Sequence, residues 1–495
     1  MENTDKYRPG NKTVSLKKNA VYNFINTLTS LLFPLIVLPY ASRIMLADGI
    51  GKIEFFTSII NYVILFTSLG IPYYAVREIA KIRNNERLLT KTTVEILILH
   101  LALSFVGYLA VFVLTSVVAK IQVDIPLFLL LSLSIALTAI GAEWFYKGIE
   151  DFKYITIRNV AVRSVCLVLL FLLVKTRDDI MWYAAYTVFG TLGGYIFNFF
   201  RLRKFIHLRN FDWRTLSPLS HLRPSLHIFA INFIASIYIN LNMVMLGFMT
   251  NDAVVGYYSR AIKLSQFALA AITSLGMVMM PRLSHLIASG QKNEFNRLAN
   301  KSINITLAAA LPITVGLIIM APTLIRLLCG PDFEPAILTL RIIAPVVFFI
   351  AVSNVIGIQI FYPQGQENKV IFSTAVGATI NLILNIILIP RIAQNGAALG
   401  SVMAEASVML TQFIIGMSFI PFKILNKSFV NYFIGALIMG VGICTVWSLH
   451  LSDIANIIII PLVGTAIYFA FLYFRRDELC LEVISLVKNK ISERK

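Results

Sequence analysis

About fourteen apolar segments, each long enough to cross a bilayer as a helix, fill the chain from Ala20 to Phe474. A lipid-exposed segment of that kind has no water to satisfy its backbone, so it must bond within itself, which restricts it to a helix. The expected spans are 19–41, 55–75, 92–118, 125–145, 155–174, 181–200, 224–248, 260–281, 302–321, 341–361, 370–389, 397–420, 432–448 and 457–474. Short polar loops separate them and leave no stretch for a soluble catalytic domain. The fold expected is an all-α integral membrane protein of about 14 transmembrane helices. Charged residues are only 14% of the chain, against about 25% in soluble proteins. Residues 1–18 are hydrophilic and the first span is long, so no cleavable leader is expected.

The net charge of +18 is a topological signal rather than a nucleic-acid one. An even number of spans puts both termini on one side. The tails and loops of that side carry 31 Lys and Arg, and the opposite loops carry 7. The positive-inside rule therefore places both termini in the cytoplasm, where the basic excess attracts anionic membrane lipids. The 5 remaining cations lie in spans or at their mouths: Arg158, Arg163, Arg260, Lys263 and Arg341.

The chain resembles itself at a shift of 205–206 residues. Gly51 falls on Gly256, Ser68-Leu69-Gly70 on Ser274-Leu275-Gly276, Arg77 on Arg282, and Gly190 and Gly194 on Gly396 and Gly400. The shift equals six spans, so two pseudo-symmetric six-helix lobes are expected, with two additional C-terminal helices. The boundaries are 1–215, 216–421 and 422–495. Parallel repeats of this kind are a transporter architecture, with substrate held near the midplane at the repeat interface. Pro34, Pro39, Pro312 and Pro345 interrupt spans, where proline removes a donor and kinks the helix. Segments 77–91 and 478–490 are amphipathic, with Ile79, Ile82, Leu88 and Leu89 in one and Leu479, Val483, Leu486 and Val487 in the other. Both are expected on the inner leaflet.

The most informative side chains are on the eighth span. Arg260, Lys263 and Gln266 are spaced by three, so they share a helix face. The matching face of the second span carries Ser58 and Asn61. Both faces are expected to line one cavity. Lys263 would sit roughly 9 Å below the outer end and Arg163 about 12 Å from the inner end, at 1.5 Å per residue. Ionised groups in hydrocarbon face water, a partner or the interface. Arg158 and Arg341 are expected to snorkel outward, and Arg43 is either an anchor or a ligand. Glu95 is expected to snorkel; Glu143, Glu405 and His100 are candidates for ion coupling. Cations outnumber acids, which favours an anionic substrate group, and guanidinium suits phosphate.

Cys166, Cys329, Cys444 and Cys480 are scattered, with no metal-ligand spacing. No nucleotide loop and no nucleophile elbow are present. The chain is therefore expected not to be an enzyme and to use no cofactor and no metal.

Four stretches carry a family resemblance. They are Asn23-Phe24-Ile25-Asn26 with Pro34 and Pro39-Tyr40-Ala41-Ser42-Arg43; Ser68-Leu69-Gly70-Ile71-Pro72 running to Arg77-Glu78-Ile79-Ala80; Glu143-Trp144-Phe145-Tyr146-Lys147-Gly148-Ile149-Glu150 with Tyr154 to Arg158; and Asn395-Gly396-Ala397-Ala398-Leu399-Gly400 through Glu405. In this order they resemble the O-antigen flippases, polysaccharide transporters of the multidrug/oligosaccharidyl-lipid/polysaccharide exporter superfamily. The resemblance implies a two-lobed transporter of the bacterial inner membrane. It would carry undecaprenyl-diphosphate-linked oligosaccharide from the inner to the outer leaflet by alternating access, for surface polysaccharide biosynthesis. On that reading Arg260, Lys263, Arg163 and Arg43 hold the diphosphate, and Ser58, Asn61 and Gln266 contact sugar or water. Partners would be the lipid-linked oligosaccharide and membrane lipids; contact with polymerase or ligase machinery stays open. The rivals are a cation-coupled multidrug exporter of the same fold, a flippase for another polyprenyl-linked precursor such as a peptidoglycan unit, and an integral-membrane transferase.

Overall fold

The computed structural model describes residues 16–207, 213–422, 426–449, 452–482 and 485. Their regular structure is entirely helical. The chain divides into two compact units, Met1–Val244 and Met245–Lys495.

The first unit holds α1 (Leu16–Ser68), α2 (Ile71–Ile82), α3 (Glu86–Val117), α4 (Ala119–Gln122), α5 (Ile125–Gly141), α6 (Glu143–Gly148), α7 (Phe152–Leu173), α8 (Ile180–Leu192) and α9 (Gly194–Leu202). It also takes most of α10 (Leu222–Met249). The second unit holds α11 (Asp252–Ala288), α12 (Lys292–Leu328), α13 (Ala336–Ile343), α14 (Pro345–Asn354), α15 (Glu367–Gly416), α16 (Lys427–Trp447) and α17 (Asp453–Phe474). The division thus falls within α10. The last two helices are built into the second unit: Tyr432, Ala436, Met439 and Ile443 of α16 and Ile460, Tyr468 and Leu472 of α17 share one apolar core with Ile303, Leu307 and Leu311 of α12.

Among the described residues nine helices are long and apolar enough to cross a membrane. Two of them are too long for one crossing. The 53 residues of α1 would reach about 80 Å as a straight helix, against about 30 Å of hydrocarbon. Leu46 breaks α1 with φ 54°, and Ile392 and Ala393 break the 50-residue α15. Both breaks fall in loops expected between spans. Helix starts are set by the loop residues before them. Asn85, Asp124, Asp151, Asn251 and Asn426 each accept the backbone N–H three residues on, which satisfies a donor the helix leaves open. Pro345 opens α14 rather than kinking it, and the tenth expected span is a chain of α13, α14 and a π-helical stretch, Val355–Phe361.

Helix α3 is polar toward its neighbours and apolar outward. On α3, Thr93, His100 and Ser104 are buried, whereas Leu101, Phe105 and Phe112 are exposed. Gly107 shares the buried face, and a Cβ there would lie 2.5 Å from Thr67 Cγ2, so its absence lets α1 approach closely. The expected inner-leaflet helix at 77–91 is corrected on one point. Ile79 of α2 and Leu89 of α3 are buried in one apolar core with Trp144, Phe145 and Tyr146 rather than facing lipid, and α6 covers the apolar face of α2. In the second amphipathic segment Leu479 packs on the core of the second unit; Val483, Leu486 and Val487 lie outside the described residues.

Candidate functional site

In the first unit the charged groups of the spans converge on α7. Arg158 does not snorkel: it is 5% exposed. Its guanidinium donates to Asn159 Oδ1 from Nε and Nη2 at 3.2 and 2.7 Å, and to Asn198 Oδ1 from Nη1. Glu143 Oε2 lies 3.5 Å from Nη2, and the Tyr154 and Tyr195 rings flank the guanidinium at 5.5 and 5.7 Å. Backbone breaks make the room. A Cβ at Gly194 would lie 2.8 Å from Arg158 Nε. The carbonyl of Gly141, at the end of α5, accepts Asn198 Nδ2 at 2.7 Å. Glu143 also holds Lys147 at 2.9 Å. The charge of Arg158 is therefore met by five side chains, which is why it need not reach the interface.

Arg163 lies five residues further along α7 and is half-buried. Its Nη1 is 3.4 Å from Thr29 Oγ1, and Asn159 Nδ2 donates to Asn26 Oδ1 at 2.9 Å. Asn26 and Thr29 are three apart on α1, so one face of α1 meets one face of α7 through polar groups.

In the second unit the face of α11 grades from buried to exposed. Arg260 is 2% exposed, Lys263 is half-buried and Gln266 is exposed. Arg260, expected to line a cavity, is almost wholly buried in this structure, and Lys263 is the more accessible cation of that face. Deeper in the unit, Ser302 Oγ donates to Gln359 Oε1 at 2.5 Å, and a Cβ at Gly276 would lie 2.6 Å from Gln359 Nε2. Gln359 belongs to the π-helical stretch, a geometry frequent at functional sites.

The other expected residues are dispersed. Ser58 is buried and its hydroxyl donates to the Phe55 carbonyl of its own helix at 2.7 Å. Asn61 Nδ2 donates to Asn240 Oδ1 at 3.3 Å. Arg43 is exposed and Glu405 half-buried. His100 is buried with Nε2 3.4 Å from Ser68 Oγ. Arg341 is exposed and donates to the Ile318 carbonyl at 3.3 Å, as an interfacial anchor would.

Glu95 corrects the sequence reading. It is 3% exposed, and it accepts the Ser217 N–H at 2.8 Å and His221 Nε2 at 3.0 Å. His221 Nδ1 lies 2.7 Å from the Tyr74 hydroxyl. The carboxylate is drawn inward because these donors, more than 120 residues on in sequence, satisfy it there. Local sequence carries no signal for that pairing.

The profile of a family described as polysaccharide biosynthesis protein matches residues 16–287. An Escherichia coli (strain K12) protein named "Putative O-antigen transporter" is 23% identical over 400 residues, 80% of this chain and 95% of its own. In fold, the chain is similar to the lipid II flippase MurJ, with a TM-score of 0.69 and 18% identity over 93% of this chain and 100% of that one. It is also similar to an inward-facing multidrug resistance MATE family transporter, with a TM-score of 0.60 and 13% identity over 83% of this chain and 96% of that one. With its profile match running over more than half of its length, this chain belongs to the polysaccharide biosynthesis protein family.

Proposed function

We propose that the chain is a flippase that moves undecaprenyl-diphosphate-linked oligosaccharide from the inner to the outer leaflet of a bacterial inner membrane by alternating access. Family membership, the transporter named among its relatives and the MurJ-like fold support this reading. The observation that carries it is the contrast between two arginines one and a half turns apart on α7. Arg158 has a carboxylate beside it, Glu143 at 3.5 Å and shared with Lys147, whereas the hydrogen bond of Arg163 is to a neutral hydroxyl at 3.4 Å. A cation at membrane depth attracts an anion strongly, and a diphosphate offers several acceptor oxygens to a guanidinium. Arg163 and Lys263 are the proposed phosphate ligands, with Asn61 and Gln266 toward sugar or water and Arg43 an outer contact. Arg260 would join them only after a rearrangement that exposes it. Glu143 is spent on Arg158 and Lys147, so Glu405 and His100 are the proposed coupling groups.

The proposal includes fourteen crossings. The broken α1 and α15 count twice, and α8 with α9, α10 and α11 complete the number. Both termini are then cytoplasmic by the positive-inside rule, and the six-span repeat of the sequence defines the lobes. The test is a leaflet-resolved assay of polyprenyl-diphosphate oligosaccharide in proteoliposomes of the purified chain. Head-group movement should be protein-dependent and fall at least tenfold in Lys263→Glu and Arg163→Glu. Undiminished movement in both folded variants would remove the site assignment. No movement by the parent protein, with and without a proton or sodium gradient, would overturn the flippase reading.

A further inference from the structure

Gly70 has φ +75°, and a Cβ there would stand 2.8 Å from both Phe229 N and Ser225 O. Glycine therefore lets the first turns of α10 lie directly on the junction of α1 and α2. Buried polar contacts hold that approach. Glu95 takes the Ser217 N–H and His221 Nε2, and His221 Nδ1 meets the Tyr74 hydroxyl. Arg77 lies three residues after Tyr74 on α2, and Arg223 two residues after His221. Both arginines line one cleft. Its volume is about 590 Å³, and it is lined by Arg77, Arg223, Pro224, Leu226, His227 and Ile228.

Among the described residues that line this cleft there is no carboxylate. Glu78 lies 3.6 Å from Arg77 Nε, but it is shared with Lys81 at 2.8 Å. Arg223 and His227 form no ion pair with another described residue. This packing brings two guanidiniums and an imidazole to one cleft. An anion with several acceptor oxygens would find hydrogen-bond donors there. Leu226 and Ile228 supply an apolar wall, and Leu226 is exposed. Exposed Trp213 and Leu219 lie just before the cleft in sequence, the kind of side chains that sit at head-group level. Basic pockets between membrane helices on the cytoplasmic side suit lipid phosphates.

We infer that this cleft is a phosphate-group site opening toward the cytoplasmic leaflet. The sidedness rests on the topology proposed above; the ligand chemistry does not depend on the flippase reading. Phosphate could arrive on a bulk anionic phospholipid, on a polyprenyl carrier or as the free ion. Native mass spectrometry of the full chain would resolve these, with phosphatidylglycerol, polyprenyl phosphate, inorganic phosphate and phosphatidylcholine as separate probes. The phosphatidylcholine arm sets the background. Retention of at least one of the three anionic probes above it is expected, with an at least tenfold loss in the Arg77→Gln/Arg223→Gln double variant and none in Arg341→Gln. Preference for polyprenyl phosphate would assign the site to a carrier lipid, equal retention of phosphatidylglycerol to bulk anionic lipid, and retention of inorganic phosphate alone to the free ion. Undiminished retention in the double variant, with an unchanged melting temperature, would overturn the site, as would no anionic probe exceeding phosphatidylcholine. Loss of flipping in the parent protein with retention intact would remove the proposed function and leave this site standing.

Discussion

Arg158 is an arginine at membrane depth, with Asn159, Asn198 and Glu143 as polar partners and two tyrosine rings beside it. Truncation would strand the partners rather than remove one weak contact. Arg158→Ala is expected to lower the unfolding free energy in detergent by about 3 kcal/mol, the lower end for breaking a buried pair because Glu143 keeps Lys147. Arg341→Ala, at an exposed position, should change it by less than about 0.5 kcal/mol. Equal effects would show that the network adds nothing. Gly70 gives a second test at this scale. Alanine there must adopt φ +75° and push backbone atoms 2.8 Å away. Gly70→Ala should cost at least about 2 kcal/mol, combining strain and overpacking, read as a fall in melting temperature. The residue types were legible in the sequence; their environments were not. Arg158 and Arg163 are alike by composition, and only the positions of Glu143 and Asn198 separate them.

At the level of elements, loop chemistry decides where helices begin and break. Between α7 and α8, Asp179 accepts the backbone N–H groups of Lys175 and Thr176 at 2.9 and 2.8 Å and the Thr176 hydroxyl at 2.9 Å. These bonds, the one from Lys175 first, favour the ionised form and hold its pKa below the ordinary carboxylate value. A depressed folded pKa means that the cap contributes fully above the unfolded value of about 3.9 and is lost as pH falls through the folded one. Amide exchange at Lys175 and Thr176, corrected for intrinsic rate, should therefore accelerate only at pH below the unfolded value. Asp179→Asn should keep those amides insensitive to pH in that range; the same acid response in the variant would exclude Asp179 as its source. In the second unit, the Gln359 carbonyl oxygen answers Ser302 from within the π-helical stretch. Gln359→Leu would leave the buried Ser302 hydroxyl without that acceptor and should cost about 1–3 kcal/mol. No loss of thermal stability would mean that another acceptor replaces it.

For the whole molecule, the proposed topology predicts which loops a membrane-impermeant thiol reagent reaches from outside intact cells. In a background with Cys166, Cys329, Cys444 and Cys480 replaced by serine, Lys120→Cys and Lys175→Cys should label, and Lys153→Cys and Lys204→Cys should label only after permeabilisation. The reverse pattern would invert the protein, and a mixed pattern would change the number of crossings. The all-helical class and the apolar exteriors of helices such as α3 were determined by the sequence alone. Both depend on local composition: an apolar run of bilayer length can satisfy its backbone only as a helix. The tertiary structure decided which polar groups face one another. It drew Glu95 inward to His221, 126 residues away, spent Ser58 on its own helix, buried Arg260 and left Lys263 accessible. Helical spacing puts such residues on one face, but whether that face meets a carboxylate, an amide or lipid depends on helices far along the chain, and burial then sets how strongly each charge must be answered.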